Sequence, residues 1–181
     1  MAKILIPISN GFEEIETITV IDVCRRAQIE ITIAAVEEIN TIGAHNVTII
    51  ADCMIEQTNS KDFDMIVLAG GLPNAFTLAE NKKVQSLLKE FKNDDKDIGA
   101  ICAAPFALNQ AGVLNENFTC YPSFEKKIRE NGYHPEDSVV IDGKVITSRG
   151  PGTAMTFALE IVGILCGEET QAQISSQLLL T

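Results

Sequence analysis

The chain is short of positive charge. Its 181 residues include 14 Lys and Arg against 25 Asp and Glu, which gives a formal net charge of −11. Phosphate backbones and anionic lipid headgroups repel such an acidic surface, so we expect no nucleic-acid partner and no membrane partner. The sequence also lacks an apolar run long enough to cross a bilayer and a charged-then-apolar leader.

Cysteine and histidine are too few and too scattered for a disulfide framework or a zinc site. The five cysteines contain no CxxC pair. An odd, dispersed set of thiols is typical of a reducing compartment, so we predict a cytoplasmic protein. The two histidines lie far apart, His45 on a predicted edge strand and His134 in a polar loop, and no metal site is expected.

Apolar runs alternate with helical stretches along the chain, and hydrophobic residues make up 46% of it. This alternation predicts an α/β protein of one domain, 1–181, with a mainly parallel sheet covered on both faces. The predicted strands are 3–8, 30–36, 63–69, 98–101 and 118–121, with an antiparallel pair at the sheet edge over 39–50 and a hairpin over 138–148. The predicted helices are 13–27, 82–92, 103–112, 152–166 and 168–179.

One cysteine lies where a predicted strand meets a predicted helix. Cys102 follows the apolar run that ends at Ile101 and precedes the small-residue run from Ala103. In an open α/β sheet such turns are exposed at the carboxyl ends of the strands, where ligands bind. The N–H groups and dipole of the next helix favour a thiolate, the nucleophilic form of cysteine. Alternatively, Cys102 is a small buried hydrophobe.

Acidic residues cluster after the first strand, at Glu13, Glu14 and Glu16. Helical spacing from Glu16 leads to three apolar residues, Val20, Cys24 and Ala27. An acid that continues a buried stripe must find a partner or be protonated with a raised pKa. A second apolar stripe begins at Glu14, and acids in a first turn also suit the helix dipole. The pattern therefore leaves both explanations open for Glu16.

Two glycine-containing turns follow other strands. Gly70 and Gly71 would let backbone N–H groups approach a ligand, as an oxyanion hole requires, or they form a plain tight turn. Arg149 begins the segment Arg-Gly-Pro-Gly-Thr before a helix, which suits an anion or a structural turn. This is not a Walker motif, because no Lys follows the glycines.

Four motifs in this order resemble one family. They are Gly-Phe-Glu-Glu-Ile-Glu-Thr from residue 11, Ala-Gly-Gly from 69, Ala-Ile-Cys-Ala-Ala-Pro from 100 and Thr-Ser-Arg-Gly-Pro-Gly-Thr from 147. The chain resembles the ThiJ/PfpI family and looks closest to its branch of the Parkinson's-disease protein deglycase. The resemblance implies a flavodoxin-like three-layer sandwich, a cysteine at a nucleophile elbow and a homodimer.

The resemblance also assigns roles to residues. Cys102 would be the nucleophile and the oxidation-sensitive cysteine, and Glu16 the protonated acid hydrogen-bonded to it. The turn at Gly70 and Gly71, together with Ala103, would present backbone N–H groups to an oxyanion. Two arginines are implied as well: Arg149 would bind an anion near the thiol, and Arg26 would lie near the site or across the dimer interface.

Three positions depart from the family pattern. Tyr121 stands where the Parkinson's-disease protein has a histidine near the cysteine, and a phenol is no base near neutral pH although it can donate a hydrogen bond to a substrate. Ala103 stands where the protease-like branch places its histidine, which disfavours a Cys-His peptidase or amidotransferase. His45 replaces an arginine expected near the dimer interface.

The implied activity is that of a glyoxalase or deglycase acting on methylglyoxal, glyoxal or their adducts in oxidative and carbonyl stress, without a cofactor. An alternative is a redox sensor or stress-protective chaperone in which Cys102 is oxidised to a sulfinate, which requires no histidine. A third role, in thiazole or thiamine metabolism, is suggested only by the family's name.

Overall fold

A seven-stranded sheet forms the centre of the structure, a computed structural model that describes residues 1–180. The strand order is β5-β2-β1-β6-β7-β9-β8; neighbouring strands are parallel except β8 and β9, which form an antiparallel hairpin. The sheet strands are β1 (Lys3–Ile8), β2 (Glu30–Ala35), β5 (Cys53–Met54), β6 (Met65–Leu68), β7 (Asp97–Ile101), β8 (Val139–Asp142) and β9 (Val145–Ser148). A separate antiparallel pair consists of β3 (Asn40–Ile42) and β4 (Thr48–Ile50).

The central strands are apolar on both faces because helices cover both. Every residue of β6 is buried, and β1 and β7 each have only their first residue partly exposed. One apolar core packs the sheet against α1 and α6, and the other packs it against α2, α3 and α4. The helices are α1 (Glu14–Arg26), α2 (Asn74–Glu80), α3 (Lys82–Asn93), α4 (Pro105–Ala111), α5 (Glu125–Ile128), α6 (Ala154–Cys166) and α7 (Glu168–Gln177).

This three-layer arrangement confirms the predicted α/β class and corrects four details. Residues 118–121 form no strand; Phe118 makes only an isolated bridge with Tyr133. The antiparallel pair within 39–50 does not join the main sheet, whose edge is β5 instead. Helix α2 was not predicted. The helix predicted from 103 begins at Pro105, because the turn of Cys102 takes up the preceding residues.

The ends of the parallel strands determine where a site can form. The carboxyl ends of β1, β6, β7 and β9 lie side by side, and each is followed by one of the turns that the sequence analysis singled out. No helix within residues 1–180 has both the length and the apolar character that crossing a membrane requires.

Candidate active site

Cys102 occupies a sharp turn directly after β7. Its φ is +65°, in the left-handed region that a non-glycine residue enters at a cost of about 1–3 kcal/mol. Two backbone hydrogen bonds hold the turn: the N–H of Cys102 donates to the carbonyl of Ser148 at 2.9 Å, and its carbonyl accepts from the N–H of Tyr121 at 2.8 Å. The side chain is buried and borders a cavity. The predicted elbow geometry is therefore present.

Gly70 makes room for this thiol. A Cβ at Gly70 would lie 2.7 Å from the Cβ of Cys102 and 3.0 Å from its Sγ, closer than atoms pack. The N–H of Gly70 donates to Oε2 of Glu16 at 2.7 Å, and its carbonyl accepts from the N–H of Glu13 at 3.1 Å. Because its N–H is already taken, Gly70 does not present it to an oxyanion, which corrects that part of the prediction.

Glu16 is fully buried on the first turn of α1. Burial raises the pKa of its carboxyl to about 7, although the hydrogen bonds from Gly70 and the Cys102 thiol oppose this shift. Within residues 1–180, Oε1 of Glu16 accepts no hydrogen bond of good geometry, and the group beside the carboxyl is that thiol. Of the two explanations left open by the sequence, the structure shows the buried acid, and this burial raises its pKa.

The thiol of Cys102 does not favour its ionised form, contrary to the prediction from the strand–helix junction. Burial raises the pKa of Cys102 first, and the neighbouring Glu16 carboxylate raises it further. Backbone N–H groups of Ala103 and Gly71 oppose the rise by donating towards the sulfur. Since two adjacent buried negative charges are costly, the pair retains a proton that either group can carry.

Gly71 is the second glycine required by the turn. Its φ is +84°, and a Cβ there would lie 2.2 Å from the carbonyl oxygen of Gly11 and 2.4 Å from the nitrogen of Glu13. The turn after β6 is thus pressed against the turn after β1, which brings the N–H of Gly71 and the carboxyl of Glu16 to the same sulfur. The role of Gly71 and Ala103 as oxyanion donors stays a prediction.

The cavity beside Cys102 has a volume of about 380 Å³, and a smaller pocket of about 210 Å³ lies next to it. Tyr121 and Pro151 border both spaces. The remaining lining residues of the larger cavity are Glu13, Ala44, Gly71, Leu72, Ala103 and Phe124. Tyr121, predicted to contact a substrate, is half exposed and forms the wall between the two spaces.

The two predicted arginines lie in different places. Arg149 borders the smaller pocket, and within residues 1–180 its buried Nε has no hydrogen-bond partner. Arg26 ends α1, is half exposed and pairs with Asp22 at 2.8 Å. It lies ten residues beyond Glu16, which is about 15 Å along the helix. Within one chain Arg26 therefore does not lie near the site, contrary to that prediction, because the length of α1 separates it from Glu16. Its role across a dimer interface stays a prediction.

Sequence reasoning missed a contact between Glu14 and His45, which lies next to the cavity-lining residue Glu13. The backbone N–H of His45 donates to Oε1 of Glu14 at 2.7 Å, and Nδ1 of His45 lies 3.0 Å from Oε2. Glu13 lies 3.7 Å from the same ring nitrogen, and the three side chains form a group that could hold a metal ion. Since 31 residues separate Glu14 from His45, only the fold reveals the contact.

Comparison with known proteins finds one family that matches most of the chain. A model of the DJ-1/PfpI family matches residues 2–164. The chain belongs to the DJ-1/PfpI family. It also has the flavodoxin-like sandwich of that family, as the sequence motifs implied. The oxidised DJ-1 of Toxoplasma gondii superposes with a TM-score of 0.94 at 33% identity, covering 99% of this chain and 98% of that one.

Two curated relatives add to the family assignment. Protein DJ-1 homolog B of Arabidopsis thaliana is 37% identical over 98% of this chain, which spans only 41% of the plant protein. The glutathione-independent glyoxalase DJR-1.2 of Caenorhabditis elegans is 39% identical, covering 93% of this chain and 90% of the relative. The chain thus spans less than half of the plant relative and nearly all of the nematode one.

Proposed function

We propose that this protein is a cysteine-dependent glyoxalase acting on methylglyoxal and glyoxal, with deglycase action on their early adducts as an extension. The observation that carries the proposal is the buried Glu16 carboxyl, whose pKa of about 7 suits proton transfer near neutrality, beside the Cys102 thiol at a cavity. The name of the nematode relative supports the same activity.

The reaction begins with the transfer of the thiol proton from Cys102 to Glu16 as sulfur adds to the aldehyde carbon. The N–H groups of Gly71 and Ala103 stabilise the negative oxygen, which takes the proton back from Glu16 to give a hemithioacetal and leaves the Glu16 carboxyl ionised. The ionised Glu16 then takes a proton from the carbon bonded to sulfur and returns it to the neighbouring carbonyl carbon, so that the first carbon is oxidised and the second reduced. Water hydrolyses the resulting thioester and releases lactate from methylglyoxal or glycolate from glyoxal. The steps require no cofactor or external oxidant.

Replacing the sulfur tests this proposal most directly. We expect Cys102→Ser to lower the kcat/KM for methylglyoxal by at least about 100-fold, because a hydroxyl group is a far weaker nucleophile than a thiol near neutral pH. Production of lactate is the measurement, and Cys24→Ser is the matched control because Cys24 is buried in the core away from the cavity. Undiminished turnover in Cys102→Ser would contradict the mechanism.

A second candidate function is redox sensing through Cys102. Its sulfur faces backbone N–H groups of Gly71 and Ala103, which would stabilise a sulfinate, and a relative was solved in an oxidised state. During a peroxide titration, peptide mass spectrometry should find two oxygens on Cys102 before they appear on Cys53 or Cys166, the two partly exposed cysteines. Earlier oxidation of either of those thiols would count against this function.

Assembly and location belong to the same proposal. Exposed apolar side chains of α1 and of the β3–β4 pair lie on adjoining elements and support a homodimer; they are Ile15, Ile18, Ile42, Val47 and Ile50. The five free cysteines support the cytoplasm as the compartment. Light scattering on the purified chain would test the dimer. No observation here favours a role in thiamine metabolism.

A further inference from the structure

The cavity beside Cys102 has a polar end and an apolar body. The thiol and the N–H groups of Gly71 and Ala103 lie at one end. Apolar side chains provide most of the remaining wall, which consists of Ala44, Leu72, Tyr121, Phe124 and Pro151. A substrate that places its aldehyde at the sulfur therefore directs its other substituent along an apolar and aromatic surface.

The aromatic part of this wall is held in place by the backbone. Tyr121 is tied to the elbow through the hydrogen bond from its N–H to the carbonyl of Cys102, and the N–H of Phe124 donates to the carbonyl of Tyr121 at 3.0 Å. The Phe124 ring stacks on Phe76 with ring centres 6.1 Å apart. The backbone of both residues and the ring of Phe124 are thus held in place before a substrate arrives, which reduces the entropy lost on binding.

The volume of the cavity and the charge of Glu13 further limit which substituents a substrate can have. A cavity of about 380 Å³ lies within the range of roughly 300–1,000 Å³ typical of small-molecule sites, and the methyl group of methylglyoxal leaves most of it empty. The carboxyl of Glu13 also lines the space, and it disfavours a negatively charged substituent. The substituent that fits is therefore uncharged, apolar and larger than a methyl group.

We infer that the preferred substrates are aryl glyoxals, 2-oxoaldehydes with an aromatic substituent such as phenylglyoxal, rather than methylglyoxal. The inference rests on the proposed glyoxalase function and follows the same steps, in which phenylglyoxal is converted with water to mandelate. Tyr121 and Phe124 act as specificity residues: they contact the ring and take no part in proton transfer.

The first test compares substrates on the wild-type protein. We expect the kcat/KM for phenylglyoxal to exceed that for methylglyoxal by at least about tenfold, since burying a larger apolar group in a matching pocket gives discrimination of that order. Equal values, or a preference for methylglyoxal, would overturn the substrate assignment and leave the proposed function intact. Absence of turnover with glyoxal and with both of the other aldehydes would overturn the proposed function itself.

The second test replaces the aromatic wall. Phe124→Leu and Tyr121→Leu should each lower the ratio of kcat/KM for phenylglyoxal to that for methylglyoxal by about tenfold, because the lost aromatic surface faces the phenyl group more than the methyl group. Phe106→Leu is the matched control, because Phe106 belongs to the same aromatic cluster, 5.7 Å from Phe76, without lining the cavity. An equal loss on both substrates would mean that the wall is only structural and would overturn the inference.

A third measurement uses the wild-type protein and therefore tests the inference even if Phe124→Leu fails to fold. Mandelate and lactate share a carboxylate and a hydroxyl group and differ in a phenyl against a methyl group. We expect mandelate to inhibit the wild-type turnover of methylglyoxal at a concentration at least about tenfold lower than lactate. Equal inhibition by the two hydroxy acids would contradict the aromatic site.

Discussion

Glu14 and Glu16 are two acids on the same helical turn, both buried, and their environments drive their pKa values in opposite directions. Burial would raise the pKa of Glu14, but hydrogen bonds from the ring and the backbone of His45 and from the backbone of Val47 lower it overall. Glu16 receives one backbone N–H and faces a thiol, so burial dominates and its pKa rises to about 7. Burial raises the pKa of either acid, and the additional hydrogen-bond donors at Glu14 reverse that effect there, so only Glu16 has a pKa near neutrality.

The largest difference between the two acids should appear in turnover. We expect Glu16→Gln to lower the kcat for methylglyoxal by about 100-fold to 10,000-fold, because an amide cannot accept the thiol proton. Glu14→Gln should change kcat by less than about threefold. Steady-state kinetics of both variants measures this, and equal losses would remove the functional distinction between the acids.

Glu14 and Glu16 should also differ in their effect on the pH dependence of kcat/KM. In the wild type the ionised Glu16 accepts the proton, so kcat/KM should fall as pH decreases through about 7. The residual activity of Glu16→Gln should lack this inflection, and Glu14→Gln should keep it. An inflection that persists near pH 7 in Glu16→Gln would assign it to another group.

The raised pKa of Glu16 should also make the free energy of unfolding depend on pH by a few kcal/mol. The folded-state pKa of Glu16 is raised from 4.5 to about 7, so its favourable contribution is present below pH 4.5 and is lost as pH rises through 7. Relative to Glu16→Gln, the wild type should therefore lose roughly 3 kcal/mol of unfolding free energy between pH 4.5 and pH 8. Urea unfolding at the two pH values measures the difference, and a constant gap between the two proteins would contradict the raised pKa.

The smallest effect concerns His45. A hydrogen bond from its ring to Glu14, assisted by the charges of Glu13 and Glu14, raises the pKa of His45. Glu14→Gln should lower that pKa, and Glu16→Gln should leave it nearly unchanged. An NMR titration of the His45 ring protons reports both, and an unshifted midpoint in Glu14→Gln would show that the pair does not form in solution.

Some features of this site could be predicted from the sequence and others could not. The strand–helix junction predicted the turn of Cys102, because an apolar run followed by a helical run marks the carboxyl end of a parallel strand. The pKa direction of Cys102 was not predictable, because it depends on burial and on Glu16. Choosing between Glu14 and Glu16 required knowing that the β3–β4 pair leaves the main sheet and brings His45 to Glu14. Arg26 lies at the far end of α1 from Glu16, so one chain does not bring it to the site, and its role across a dimer interface stays a prediction.

Gly70 limits how the site can be altered. Its missing Cβ leaves the space that the Cys102 side chain occupies, and within residues 1–180 its N–H is the one backbone donor to the Glu16 carboxyl. A substitution that moves this turn therefore shifts the Cys102 sulfur and the Glu16 carboxyl together, so their positions cannot be adjusted independently. An attempt to change the acidity of the thiol alone must begin from residues on the cavity side, where neither contact is touched.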